Sequence, residues 1–120
     1  MTENRVHDPL VIDLNKLPVE RGTCGYRKRI ITESESNLVG ISFLEINEAR
    51  RHYHQSTTEI YYVLKGTGEL EVDGKIISLY SGITVLIPPG ASHCPKAEQD
   101  LEVLIIMIPP YGESQDQYYV

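Results

Sequence analysis

The chain has 120 residues, a formal net charge of −6 and a pI near 5.1. That length is one domain, able to bury roughly two thirds of the surface its unfolded chain exposes, and the acidic balance argues against nucleic acid as a partner. No apolar run reaches the ~18 residues of a membrane span, and Met1 to Pro9 carries no apolar signal-peptide region, so no membrane partner and a cytoplasmic location are expected.

Residues 1 to 9, with His7, read as a loose arm. Val11-Ile12-Asp13-Leu14 predicts a short first strand. After a loop holding Gly22, Cys24 and Gly25, Tyr26 to Ile31 predicts a second, with Arg27 and Arg29 on one face and Lys28 on the other. Leu38 to Ile46 predicts a third. Glu59 to Leu64 is rich in strand formers; Lys65-Gly66-Thr67-Gly68 breaks it, and Glu69 to Val72 resumes with strict alternation. Asp73-Gly74 is a two-residue hairpin signal leading into Lys75 to Leu79. Ile83 to Ile87 follows Gly82, and Pro88-Pro89-Gly90 suits a type II turn with Gly90 at positive φ. Leu101 to Ile108 is the last long strand, stopped by Pro109-Pro110. Tyr111 to Val120 reads as loosely held, although Tyr111, Tyr118 and Tyr119 could dock on the body or on a partner subunit.

Many short strands separated by Gly/Pro turns predict an all-β sandwich or barrel. If Glu59 faces inward, so do Tyr61 and Val63, while Ile60, Tyr62 and Leu64 face outward. On the last strand Leu101, Val103, Ile105 and Met107 point in; Glu102 shares the outer face with Leu104, Ile106 and Ile108. Two outer faces this apolar predict a covering sheet or a homodimer. Cys24 and Cys94 read as free thiols in a reducing compartment.

The chemistry concentrates in His52-Tyr53-His54, Glu59 and His93. Three imidazoles and a carboxylate suit a divalent metal, and residues two apart on a strand share a face. Nitrogen and oxygen donors without thiolate suit Fe, Mn, Ni, Co or Zn.

In these residues the chain resembles the cupins. Their first motif, G-x5-H-x-H-x3–4-E-x6-G, is matched by His52, His54, Glu59 and Gly66; their second, G-x5-P-x-G-x2-H-x3-N, by Gly82, Pro88, Gly90 and His93. Ile46 stands where the first motif has glycine, so the loop Asn47 to Arg51 could enter the site differently; Ala97 stands where the second ends in asparagine. The resemblance implies a double-stranded β-helix forming one domain over residues 1–120. It also implies His52, His54, Glu59 and His93 as ligands of one divalent metal per chain.

Around this set, Tyr61 is in phase with Glu59, and its phenol could orient substrate or donate a proton; the plainer alternative is a packed tyrosine. Arg27 could clamp a substrate carboxylate, against the alternative of a solvated strand, and the same two readings apply to Arg50 and Arg51. Arg27, Tyr61, Val63 and Met107 are the candidate pocket walls, with Met107 and Cys94 also fitting plain core roles. No nucleophile–base pair and no phosphate loop stand out. Cupins include dioxygenases, isomerases, lyases and binding proteins. The expectation is a metal-dependent enzyme on a small acidic or enolisable substrate, of dioxygenase type. A sugar or uronate isomerase/lyase and a non-catalytic sensor are the alternatives.

Overall fold

A computed structural model describes residues 7–120. Its described strands are β1 Glu20–Arg21, β2 Gly25–Ile31, β3 Gly40–Ile46, β4 His52–Tyr53, β5 Thr58–Val72, β6 Lys75–Tyr80, β7 Thr84–Ile87, β8 His93–Ile108 and β9 Tyr118–Tyr119. All join one sheet. Among the described residues no helix is long and apolar enough to cross a membrane.

The spine is the antiparallel pair β5 and β8, matched from Thr58↔Ile108 to Val72↔His93. Each long strand has different outer neighbours along its length. β5 pairs β7 over Glu59 to Tyr62 and β6 over Thr67 to Val72. β8 pairs β3 over Glu102 to Met107 and touches β4 at His93. A strand that changes neighbours half-way must bend, so the sheet curls around a shared interior and closes into the expected barrel.

The bend explains one difference from expectation. Glu59–Leu64 and Glu69–Val72 are not two strands but one, β5, with register shifts between Val63 and Gly68. Glycines that read as a break instead let the strand bulge. Gly66 sits at φ +84°, and a β-carbon there would lie 2.2 Å from the carbonyl oxygens of Asp100 and Gln99. β8 likewise starts at His93 rather than Leu101; its polar first half hid the strand. Val11 to Leu14 is not a strand. Asp13 accepts the Asn15 N–H at 2.9 Å and caps a single 3-10 turn at Leu14–Lys16. A local hydrogen bond there outcompetes pairing, and β2 meets the turn through a side chain, Lys28 Nζ donating to Leu14 O at 3.3 Å.

The turn chemistry holds. Asp73 and Gly74 both have positive φ, as a type I′ hairpin requires, and Gly90 has φ +88° with Ala91 N–H bonded to Pro88 O. The predicted phase holds too. Glu59, Tyr61 and Val63 are buried, as are Leu101, Val103, Ile105 and Met107, while Tyr62, Leu64 and Ile108 are exposed. Cys24 and Cys94 are free thiols.

Gly66→Ala should therefore destabilise the barrel, since it meets both a forbidden backbone region and a carbonyl wall. The expected loss is about 3 kcal/mol, or roughly 10 °C in Tm, read by thermal melts. An unchanged Tm would mean the bulge is not required.

Candidate metal centre

His52 and His93 are register partners across β4 and β8. His54 follows two residues on, and Glu59 enters from β5. All four are buried, none more than 5% exposed. One ring nitrogen from each of His52, His54 and His93 lies within 4.8 Å of the others. Glu59 Oε1 is 3.0 Å from His93 Nε2, and Oε2 is 3.6 Å from His54 Nε2.

The outer ring nitrogens decide which way the lone pairs point. His52 Nδ1 lies 2.8 Å from Arg50 O, and His93 Nδ1 lies 3.0 Å from Ala91 O. His54 Nδ1 lies 2.8 Å from Asp116 O and 3.2 Å from Gly112 O. A carbonyl can only accept, so each Nδ1 carries a proton, and a ring that holds no second proton turns its Nε2 lone pair inward. His54 Nε2, His93 Nε2 and Glu59 Oε1 are buried without a hydrogen-bond partner among the described residues. Acceptors thus face acceptors, and only a proton or a cation can sit between them. This donor set fits a divalent metal ion.

The titration of the metal-free centre points the same way. Burial pushes the Glu59 carboxyl up, but the adjoining His54 and His93 rings outweigh it and hold the group well below the usual carboxylate range. Burial pulls His54 down, yet the neighbouring Glu59 raises it to about 9. Burial, then the nearby His93, lowers His52 to about 4. Without metal, the centre therefore keeps Glu59 ionised by storing a proton on His54.

A chamber of about 30 Å³ reaches His52 and Glu59 and is walled by Cys24, Tyr61 and Met107. Arg27, Glu113 and Gln117 line both this chamber and an outer vestibule of about 480 Å³, which Arg21, Arg29 and Arg50 also border. Burial raises the Tyr61 phenol and the Cys24 thiol well above their ordinary values, so both stay protonated.

The structure brings His52, His54, Glu59 and His93 together, with Arg27, Tyr61 and Met107 beside them. It leaves Val63 out: fully buried four residues beyond Glu59, it lies in the apolar core and not in the chamber wall. Arg27 is not a solvated strand residue, since Nη1 bonds Glu113 at 2.5 Å. Arg50 stacks on the Tyr119 ring at 3.7 Å, whereas Arg51 pairs with Glu71 away from the chamber. The loop after Ile46 is tied to the β2 entrance by Asn47 N–H to Cys24 O, and it supplies the Arg50 carbonyl to His52.

Glu113, Asp116 and Gln117 had no signal in the sequence. The segment 111–120 does dock on the body: the Asp116 carboxylate accepts from the Gln55 and Ser56 N–H groups and from the Thr57 hydroxyl, at 2.8 to 2.9 Å. β9 then pairs with β4. Only the strand-forming Tyr118-Tyr119 hinted at this.

The cupin-domain family profile matches residues 45–109. The chain belongs to the cupin family. An uncharacterised protein of Aquifex aeolicus is 27% identical over 107 residues, covering 78% of this cupin and 88% of that protein. A solved protein from Planctomyces limnophilus superposes with a TM-score of 0.85 at 25% identity, covering 94% of this chain and 98% of that one. Pac13, described as a nucleoside dehydratase, superposes at 0.80 with 11% identity over 93% and 91% of the two chains, a likeness of fold. Enzymes are thus among the solved structures that share this fold.

The raised His54 value has a stability consequence in this cupin. A group bound more tightly to its proton when folded stabilises fully below its unfolded value of 6.5, and that contribution disappears as pH rises through about 9. Chelator-treated protein should lose Tm across this window, while the His54→Ala variant should not, as thermal melts in matched buffers would reveal. A flat Tm in the wild type would refute the stored proton.

Proposed function

We propose that His52, His54, Glu59 and His93 hold one divalent transition metal per chain (Fe, Mn, Ni, Co or Zn) in an enzyme acting on a small acidic or enolisable substrate. Its reaction is of the oxygen-dependent, dioxygenase type. The observation that carries this reading is the set of three imidazoles anchored through Nδ1 around Glu59, with His52 and Glu59 lining a chamber that shares its wall with a vestibule. When bound, such an ion supplies Lewis acidity at a substrate oxygen and, if redox-active, electrons for O2.

The chain's own residues set the conditions. Met107 and Tyr61 keep the chamber narrow, and the Tyr61 phenol, held protonated, can donate a hydrogen bond but not take a proton at neutral pH. Cys24 is equally unable to act as a base there. Outside the donor set the chamber wall offers one carboxylate, Glu113, and Arg27 engages it, which favours oxidative chemistry over proton shuttling. One observation supports a second reading, a non-redox isomerase or lyase. The Glu113 carboxylate lines the chamber and could move a proton.

The chain also works, we propose, as a homodimer. Ile60, Leu86 and Ile106 are cross-strand neighbours on the outer face of β5, β7 and β8, beside Tyr62 and Leu104. Leu86 is 60% exposed and Tyr62 41%, a continuous apolar stripe of the kind that association covers. Sedimentation should give a species of twice 13.6 kDa at micromolar protein; a 13.6 kDa species alone would end this part of the proposal.

Iron-loaded protein incubated with small carboxylates, diketones and uronates should turn over with consumption of O2. Turnover unchanged under argon would replace the oxidative reading by the isomerase or lyase one. Binding without turnover in either atmosphere would leave a sensor. The His54→Ala variant should retain less than about a tenth of the wild-type metal by mass spectrometry.

A further inference from the structure

Besides Glu59 Oε1 in the metal centre, two buried polar atoms in residues of the chamber wall have no hydrogen-bond partner among the described residues. One is Arg27 Nε, a donor. The Glu20 carboxylate is 3.4 Å away but without hydrogen-bond geometry, and Nη1 is committed to Glu113. The other is Gln117 Oε1, an acceptor. The amide nitrogen of Gln117 is already committed, donating to Thr23 Oγ1 at 2.8 Å and to the Tyr119 hydroxyl at 3.2 Å.

Both residues line the chamber and the vestibule. A buried donor and a buried acceptor left open are costly unless solvent fills them in the free protein and a ligand fills them in the complex. The ligand must then carry two complementary features: an anionic acceptor for the Arg27 guanidinium and an O–H donor for Gln117. A plain fatty acid satisfies only the first, and a neutral polyol only the second. Glu113 on the same wall is a further acceptor, which again calls for hydroxyls. Four arginines (Arg21, Arg27, Arg29 and Arg50) against three glutamates (Glu33, Glu48 and Glu113) give the vestibule a slight positive balance, which favours the approach of an acid.

We propose that the substrate is a small hydroxylated carboxylic acid, its carboxylate held by Arg27 and a hydroxyl held by Gln117, which makes Gln117 a specificity-determining residue. This rests on the metal-dependent reading above, because the same chamber must seat the substrate against His52 and Glu59.

The test is calorimetric titration of the full chain loaded with zinc, which binds without redox turnover, using threonate, butyrate and threitol. These share a four-carbon skeleton and differ in having both features, only the carboxylate, or only the hydroxyls. Threonate should bind at least about fivefold more tightly than either. Gln117→Met should collapse the threonate-to-butyrate ratio towards one. Arg27→Gln should collapse the threonate-to-threitol ratio. Equal wild-type affinities, no binding of any probe to a zinc-loaded chain, or an unchanged threonate-to-butyrate ratio in Gln117→Met would each overturn the proposal. The last result would mean that the metal alone reads the hydroxyl. The wild-type comparison stands even if a variant fails to fold. A wild-type chain that takes up no zinc sinks the metal reading by itself, and the same three titrations on that metal-free chain still decide between the probes.

Discussion

A carboxylate cannot remain ionised inside a barrel, ringed by imidazole lone pairs, unless a cation joins it. Taking such a charge out of water costs several kcal/mol, of the order that would unfold a small domain if left uncompensated. Glu59 is in that position, and the parts of the fold that surround it hold the compensating nitrogens in place. The three Nδ1 anchors come from three irregular segments: the loop before β4, the turn before β8 and the chain after β8. Backbone carbonyls in these segments are poor at anything except accepting a hydrogen bond. They fix each ring's tautomer more reliably than a mobile side chain would.

The curled β5–β8 pair supplies the rigid frame. Inward positions along β5 run from Glu59 through Tyr61 to Val63, passing from the polar centre to dry core within five residues. The polar mouth and the apolar interior therefore share one pleated surface with no separate element to support either. The long partner strand sets their relative height, since Glu59 pairs with Met107 and Val63 with Val103. The glycine bulge lets one strand serve both halves of the barrel, so backbone freedom at Gly66 and side-chain placement at Glu59 are linked through the bend.

The segment after β8 has two functions that share one anchor. Asp116 fastens it to the 55–57 loop through three hydrogen bonds, and its backbone carbonyl orients His54. The same segment carries Glu113 and Gln117 into the chamber wall. Loss of the anchor would disturb the centre and the wall together, which ties the shape of the substrate space to the order of the donor set.

Much of this was legible from local patterns. Period-two alternation marked the inward faces of β5 and β8, and Asp73-Gly74 and Pro88-Pro89-Gly90 marked their turns. The spacing of His52, His54, Glu59 and His93 marked the family and its candidate centre. These signals are legible because the pleat and the turn act over a few residues. Contacts over longer separations were not. Gly66 and Gly68 read as a break because their neighbours 96–101 lie about thirty residues away in sequence and convert a break into a bulge. Glu113, Asp116 and Gln117 sit in a stretch without periodicity, and only the fold lays that stretch across the mouth. The sequence by itself determined an all-β chain with a three-histidine, one-glutamate donor set. Which carbonyls orient those rings, and which side chains wall the chamber, only the tertiary structure decided, because both depend on segments brought together by barrel closure and not on any local preference.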